Sequence, residues 1–187
     1  MRTLKCLLVV AIVAIAAPYA SAQCTPPGWT SIGGGGVGYY NWIANGQPGS
    51  TTICWSSTAP IVTATDCGQS QKTFNFDTYN DELIQFVDIP ADRHETHFDL
   101  TYLLTMNDPN HDGTYTYLKA EVLDVTDGVM RASQTYWGSD ASLTCGRRDL
   151  TFDGDYAGHT FRIRFKGGPF YSGTVIHVRS IGFLQSI

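Results

Sequence analysis

From Phe161 to Lys166, apolar and basic residues alternate, with Phe161, Ile163 and Phe165 at one set of positions and Arg162, Arg164 and Lys166 at the other. A period of two sends successive side chains to opposite faces, so the run predicts a β-strand with one buried and one wet face. Gly167, Gly168 and Pro169 predict its end, and a second β-rich run covers residues 174–184. The same pattern recurs upstream. Phe98, Leu100, Tyr102 and Leu104 alternate with Asp99, Thr101 and Thr105, and residues 83–89 form an apolar run that stops at Pro90. Residues 115–124 and 129–137 flank the turn dipeptide Asp127-Gly128, and residues 144–152 lead into the closing block. Shorter candidates lie at 39–43, before Asn45-Gly46, and at 51–55 and 72–76. Residues 56–70 read as a Ser/Thr/Pro-rich loop, and the Pro/Gly-rich stretch 23–38 as flexible turn. No helical period lasts longer than two turns. Turn signals about every ten residues predict an all-β chain, a jelly-roll β-sandwich of two antiparallel sheets with about nine or ten strands.

The first 22 residues stand outside this pattern. Arg2 and Lys5 precede an apolar run from Leu7 to Ala17, and Ala20-Ser21-Ala22 offers a cleavage site, the layout of a secretory signal peptide. The run is short for a transmembrane helix. Residues 23–187 are then expected to form one exported domain, extracellular or periplasmic, with no membrane insertion after cleavage. Removing those 22 residues from 187 leaves ten Lys/Arg against seventeen Asp/Glu, a formal charge of −7. That balance argues against a nucleic-acid partner. Of the remaining cysteines, Cys54–Cys67 is expected to close a short loop and Cys24–Cys145 to tie the N-terminal segment to the late strands.

A resemblance adds to this reading. Asp149-Leu150-Thr151 and, further on, Asp155-Tyr156-Ala157-Gly158-His159-Thr160-Phe161-Arg162-Ile163-Arg164-Phe165 resemble the DLS-x-YAG-x-T-x-R-L-R-F block of bacterial secreted jelly rolls, the MAM-like and carbohydrate-binding-module-like domains. Val87-Asp88-Ile89-Pro90, Phe98-Asp99-Leu100 and Glu121-Val122-Leu123-Asp124 fit the strand progression upstream of that block. The family's last strand reads roughly V-x-(V/I)-D-D-(I/V)-x-L, and its acidic pair helps to hold a structural Ca²⁺. Here Arg179 and Ser180 stand in that place. Arg179 is therefore expected to supply the positive charge itself, paired with Asp81 or Glu82.

Two constellations carry candidate chemistry. Asp108-Pro109-Asn110-His111-Asp112-Gly113 matches D-x-(D/N)-x-(D/N)-G, the start of an oxygen-ligand calcium loop, with Asp108, Asn110 and Asp112 as ligands. Lys119 at position 12 excludes an EF-hand, and a plain hairpin turn on Asp112-Gly113 explains the motif without a metal. No cofactor is required. Aromatic rings are the second constellation, because exposed rings stack on the apolar faces of sugars. The candidates are Trp42, Tyr115, Tyr117, Tyr136 and Trp137, and burial in the core is the competing use of each. His94-Glu95-Thr96-His97 is not H-E-x-x-H, and no G-x-S-x-G elbow occurs. The late basic residues face many upstream acids, which predicts either cross-strand ion pairs or a basic patch for an acidic glycan. The expectation is an exported, non-catalytic module that binds a glycan or cell-surface component. A structural or adhesive envelope protein making protein contacts is the alternative, and a glycoside hydrolase the third reading.

Overall fold

A computed structural model describes residues 26–31, 38–49, 54–108, 116–138, 143–169 and 173–187. They form twelve strands: β1 (Gly28–Ser31), β2 (Gly38–Asn41), β3 (Ser56–Ser57), β4 (Ile61–Ala64), β5 (Gln71–Asn75), β6 (Asp81–Asp88), β7 (His97–Asn107), β8 (Tyr117–Asp124), β9 (Val129–Trp137), β10 (Leu143–Asp153), β11 (Thr160–Gly168) and β12 (Val175–Ser186). All pairings are antiparallel. The seven-stranded sheet runs β1-β2-β12-β5-β4, with β7 on the other edge of β12 and β10 beyond β7. The five-stranded sheet runs β3-β6-β11-β8-β9. Among the described residues no helix is long and apolar enough to cross a membrane.

Alternation builds the sandwich. Phe161, Ile163 and Phe165 of β11 are fully buried and meet Leu118, Ala120 and Val122 of β8 and Leu83 and Val87 of β6. From the other sheet, Phe98, Leu100, Tyr102 and Leu104 of β7 and Ile176, Val178 and Phe183 of β12 close the core. Phe98, Phe152, Phe161, Phe183 and Tyr156 form an aromatic cluster with ring centroids 5.3–6.1 Å apart. Burial of these rings is the main source of stability, and their edge-to-face pairs add to it.

Several expectations change. Gly167 and Gly168 do not end β11, which continues through both. A Cβ on Gly167 would strike the Tyr117 carbonyl and one on Gly168 the Thr78 carbonyl, so glycine is needed for close approach rather than for a turn. The stretch 56–70 contains β3 and β4, and the Pro/Gly-rich region contains β1. All three are edge strands too short to show a period. Residues 51–53 of one proposed strand lie outside the described residues, and Cys54 and Trp55 that follow are not in a strand.

The disulfide pairing is also corrected. Cys67 pairs with Cys145, their Cα atoms 5.2 Å apart, and not with Cys54. Cys54 precedes β3 of the five-stranded sheet, whereas Cys67 lies in the β4–β5 turn of the other sheet and reaches β10. Cys54 is itself disulfide-bonded, and Cys24, its remaining candidate from residues 23–187, lies outside the described residues. The Cys24–Cys145 pairing falls with the same observation.

Candidate functional site

The outer face of the five-stranded sheet is a series of rows set by the strand register. At one end Gly168, Tyr117 and Trp137 stand opposite one another on β11, β8 and β9. The Tyr117 and Trp137 rings lie 5.8 Å apart, and Tyr79 meets Tyr117 edge-on at 6.4 Å. Trp137 is 43% exposed and Tyr79 55%. Tyr79 sits in the turn before β6, which Asp81 pins by accepting the Asp77 and Thr78 amides at 3.0 and 2.7 Å and the Thr78 hydroxyl at 2.5 Å. Asn80 in this turn takes a left-handed conformation, φ 67°, which asparagine tolerates better than most residues. Its side-chain oxygen accepts the Tyr117 hydroxyl at 3.1 Å. Three aromatic rings are thus held at one end of a sheet by strands and a braced turn.

The next rows are ionic. Glu82 accepts from Arg164 and lies 3.8 Å from Lys166, while Glu121 lies 3.4 Å from Arg164 and 2.5 Å from Lys119. Burial raises the Tyr117 pKa, and the Tyr79 phenol beside it acts in the same direction. The phenol therefore stays neutral and keeps its proton for hydrogen bonding. A final row places Phe86, Arg162, Leu123 and Met130 side by side. This face can stack on apolar rings at one end and donate to oxygen acceptors along the rest.

No family model matches the chain, and no curated protein does. Solved structures do. TmCBM61 in complex with β-1,4-galactotriose aligns over 78% of this chain and 98% of its own, at 13% identity and a TM-score of 0.52. A family 16 carbohydrate-binding module aligns over 76% of this chain and 99% of its own, at 12% identity and a TM-score of 0.50. The fold is that of carbohydrate-binding modules. The enzymatically active domain of the bacteriophage CBA120 tailspike protein 4 also aligns, at 15% identity and a TM-score of 0.53 over 79% of this chain, but this chain covers only 21% of it. At these identities the likeness concerns the fold alone.

In this jelly-roll β-sandwich, the residues expected from sequence fall in different places. Tyr117 and Trp137 come together on one face. Tyr136 points the other way, as a neighbour on the same strand must, and accepts a 3.0 Å hydrogen bond from the buried Tyr102 hydroxyl. Trp42 is 5% exposed and gives its Nε1–H to Gln185 at 3.1 Å. It is a core residue and presents no ring face to a ligand. Tyr115, Asn110 and Asp112 lie outside the described residues. Asp108 is buried, with the Thr174 hydroxyl 3.5 Å away. Sequence reasoning missed Tyr79, whose only local signal is its place in a polar turn.

Other polar clusters have internal partners. Asp124, Asp127 and His159 bring their ligand atoms within 4.8 Å of one another. However, Arg131 already bonds Asp124 through Nε and Nη2 at 3.1 and 2.7 Å and reaches Asp127 at 2.5 Å, so a guanidinium supplies the positive charge there. His94 bonds Asp155 at 2.9 Å and His97 bonds Asp153 at 2.8 Å, so these two histidines engage separate carboxylates.

On the opposite face, Arg179 is fully buried and pairs with Asp66, not with Asp81 or Glu82. Asp81 is taken up by its own turn and Glu82 lies on the other sheet. His177 Nδ1 shares Asp66 at 3.0 Å. Burial acts to raise the Asp66 pKa, but hydrogen bonds with Thr105, Arg179 and His177 outweigh it and hold the carboxyl well below the usual range. A bulge between Arg179 and Gly182 follows, with Ser180 at φ 52°. Beside it an open cleft of about 450 Å³ is lined partly by Asn41, Gln47 and Ser180. Asn41 Oδ1 accepts the Ile43 and Phe183 amides, and Gln47 Oε1 accepts the Ser180 hydroxyl.

Proposed function

We propose that the chain is an exported, non-catalytic carbohydrate-binding module that holds its glycan on the outer face of the five-stranded sheet. The observation that carries this reading is the Tyr79–Tyr117–Trp137 group, two exposed rings flanking the half-buried Tyr117, fixed by strand register and a braced turn beside hydrogen-bonding side chains. Preorganised rings lose little freedom on binding and stack on sugar faces. The likeness to carbohydrate-binding modules supports the reading, and the galactotriose bound by one of them makes β-1,4-galactan a first ligand to test. The similarity to MAM-like secreted domains belongs to the same proposal.

Affinity electrophoresis of the purified chain through a panel of soluble polysaccharides tests it. Retardation by at least one glycan is expected, lost on Trp137→Ala and Tyr117→Ala, with no hydrolysis of that glycan. Absence of binding across the panel would count against the proposal. Export is checked separately: the secreted product should begin at Gln23.

A second reading, docking of a surface protein, is favoured by the apolar end of the same face, where Phe86 is 45% and Met130 42% exposed. Loss of a protein contact on Phe86→Ala and Met130→Ser, with glycan binding absent, would select it.

A further inference from the structure

The cations on the outer face of the five-stranded sheet are not equivalent. Arg164 bonds Glu82 and Glu121, Lys166 faces Glu82, and Lys119 faces Glu121. Arg162 is different. Among the described residues it is the one arginine whose guanidinium makes neither an ion pair nor a hydrogen bond, and its Nε is buried without an acceptor. Its cross-strand neighbours are Phe86 and Leu123, with Met130 beyond. The nearest acids are engaged elsewhere: Glu121 with Arg164 and Lys119, and Asp88 with the Thr160 hydroxyl at 2.6 Å.

We propose that the glycan bound by this face carries an anionic group, a uronate carboxylate or a sulfate ester, that pairs with Arg162. The inference rests on the reading of this face as a glycan platform. A guanidinium without an acceptor in apolar surroundings is costly, and an incoming oxyanion reaches it through the two terminal nitrogens, which, unlike Nε, are not buried without a partner. Apolar neighbours also exclude water, which strengthens the charge pair. The guanidinium fork matches carboxylate and sulfate oxygens two at a time, and an ammonium does not. The formal charge of −7 on residues 23–187 repels acidic polymers in general, so binding one requires a dedicated cation. Arg162 and Gly168 are six residues apart on β11, roughly 20 Å at strand rise. A glycan running along the strands therefore meets the aromatic group at one end and Arg162 at the other.

The test compares binding of the whole chain to polygalacturonate, to κ-carrageenan and to neutral β-1,4-galactan by isothermal titration. The expected result is tighter binding to one of the two charged polymers, carboxylate or sulfate according to which binds. Arg162→Gln should weaken that binding about tenfold and leave galactan binding unchanged. Arg162→Lys should recover only part of the loss. Lys72→Gln, an exposed cation on the other sheet, changes net charge by the same amount and should have no effect. Equal loss in Lys72→Gln would indicate general electrostatics and overturn the proposal. Loss of binding on Trp137→Ala with none on Arg162→Gln would also overturn it while sustaining the glycan platform. If the wild-type chain binds none of the three, the platform and this inference fall together. Melting curves confirm that each variant is folded.

Discussion

Replacing Asp66 by Asn removes the carboxylate that neutralises Arg179 and leaves the shape of the site nearly intact. Arg179 is 0% exposed, and among the described residues Asp66 alone pairs with it, through Nη2, while its Nε and Nη1 have no acceptor. Removing one partner of a buried ion pair costs about 3–5 kcal/mol, because the other charge stays desolvated. Asn keeps an acceptor oxygen, so the loss should fall near 3 kcal/mol. At about 2–4 °C per kcal/mol for a chain of this size, Tm at pH 7 should drop by roughly 6–12 °C. Calorimetric or circular-dichroism melts read this directly. Adding Arg179→Met should restore most of the stability, since an apolar side chain of similar length is then buried without a charge. The acid limb gives a second reading. The folded pKa of Asp66 lies below its unfolded value, so its contribution is fully present above about pH 4 and is lost as pH falls through the folded pKa. Asp66→Asn should therefore lose less stability than wild type on acidification. A Tm drop under 2 °C in the single variant, or no recovery in the double, would refute the reasoning.

Three further outcomes follow from the same geometry. Cys67–Cys145 closes 78 residues, so replacing both by Ser should cost about 4 kcal/mol through the unfolded chain, read from urea melts. Arg131→Met leaves the fully buried Asp124 carboxylate to His159 and one amide and should cost about 3 kcal/mol, with Asp124→Asn in the same chain recovering much of it. Hydrogen bonding to Asp153 raises the His97 pKa against the opposing effect of burial, so its NMR titration should centre above 6.5 and move down on Asp153→Asn. That pair stabilises below pH 6.5, and its contribution fades as pH rises through the folded value.

The long strands were legible because each carries its own record of burial. Phe161-Ile163-Phe165 and Phe98-Leu100-Tyr102-Leu104 alternate over enough residues to define a face, and the structure puts those faces in the core. β1, β3 and β4, of four, two and four residues, leave no such record, so twelve strands stand where about nine or ten were expected. Aromatic character did not distinguish Trp42, sunk against Gln185, from Trp137 at a strand end, because core and surface use the same rings. Tyr79 was invisible for a different reason. Its position depends on Asp81 bracing a turn and on Gly168 letting that turn approach β11, which are contacts between segments distant in sequence. The cysteine pairing and the Asp66–Arg179 pair likewise depend on which segments the two sheets bring side by side.

The order in which the strands are laid down has a consequence for assembly in time. β11 is the centre of the five-stranded sheet, holding β6 on one edge and β8 on the other. β12 holds β7 on one edge and both β5 and β2 on the other. These two hubs are the last of the twelve described strands to leave the ribosome. Until they arrive, β2, β5, β6 and β7 have synthesised hydrogen-bonding edges with no central partner, so neither sheet can close during elongation. Closure of the sandwich then waits for β11 and β12 and proceeds through distant pairings, on the slow, millisecond-to-second side of small-domain rates. A chain truncated before Val175 should accumulate as an open, protease-sensitive species rather than as a smaller sandwich.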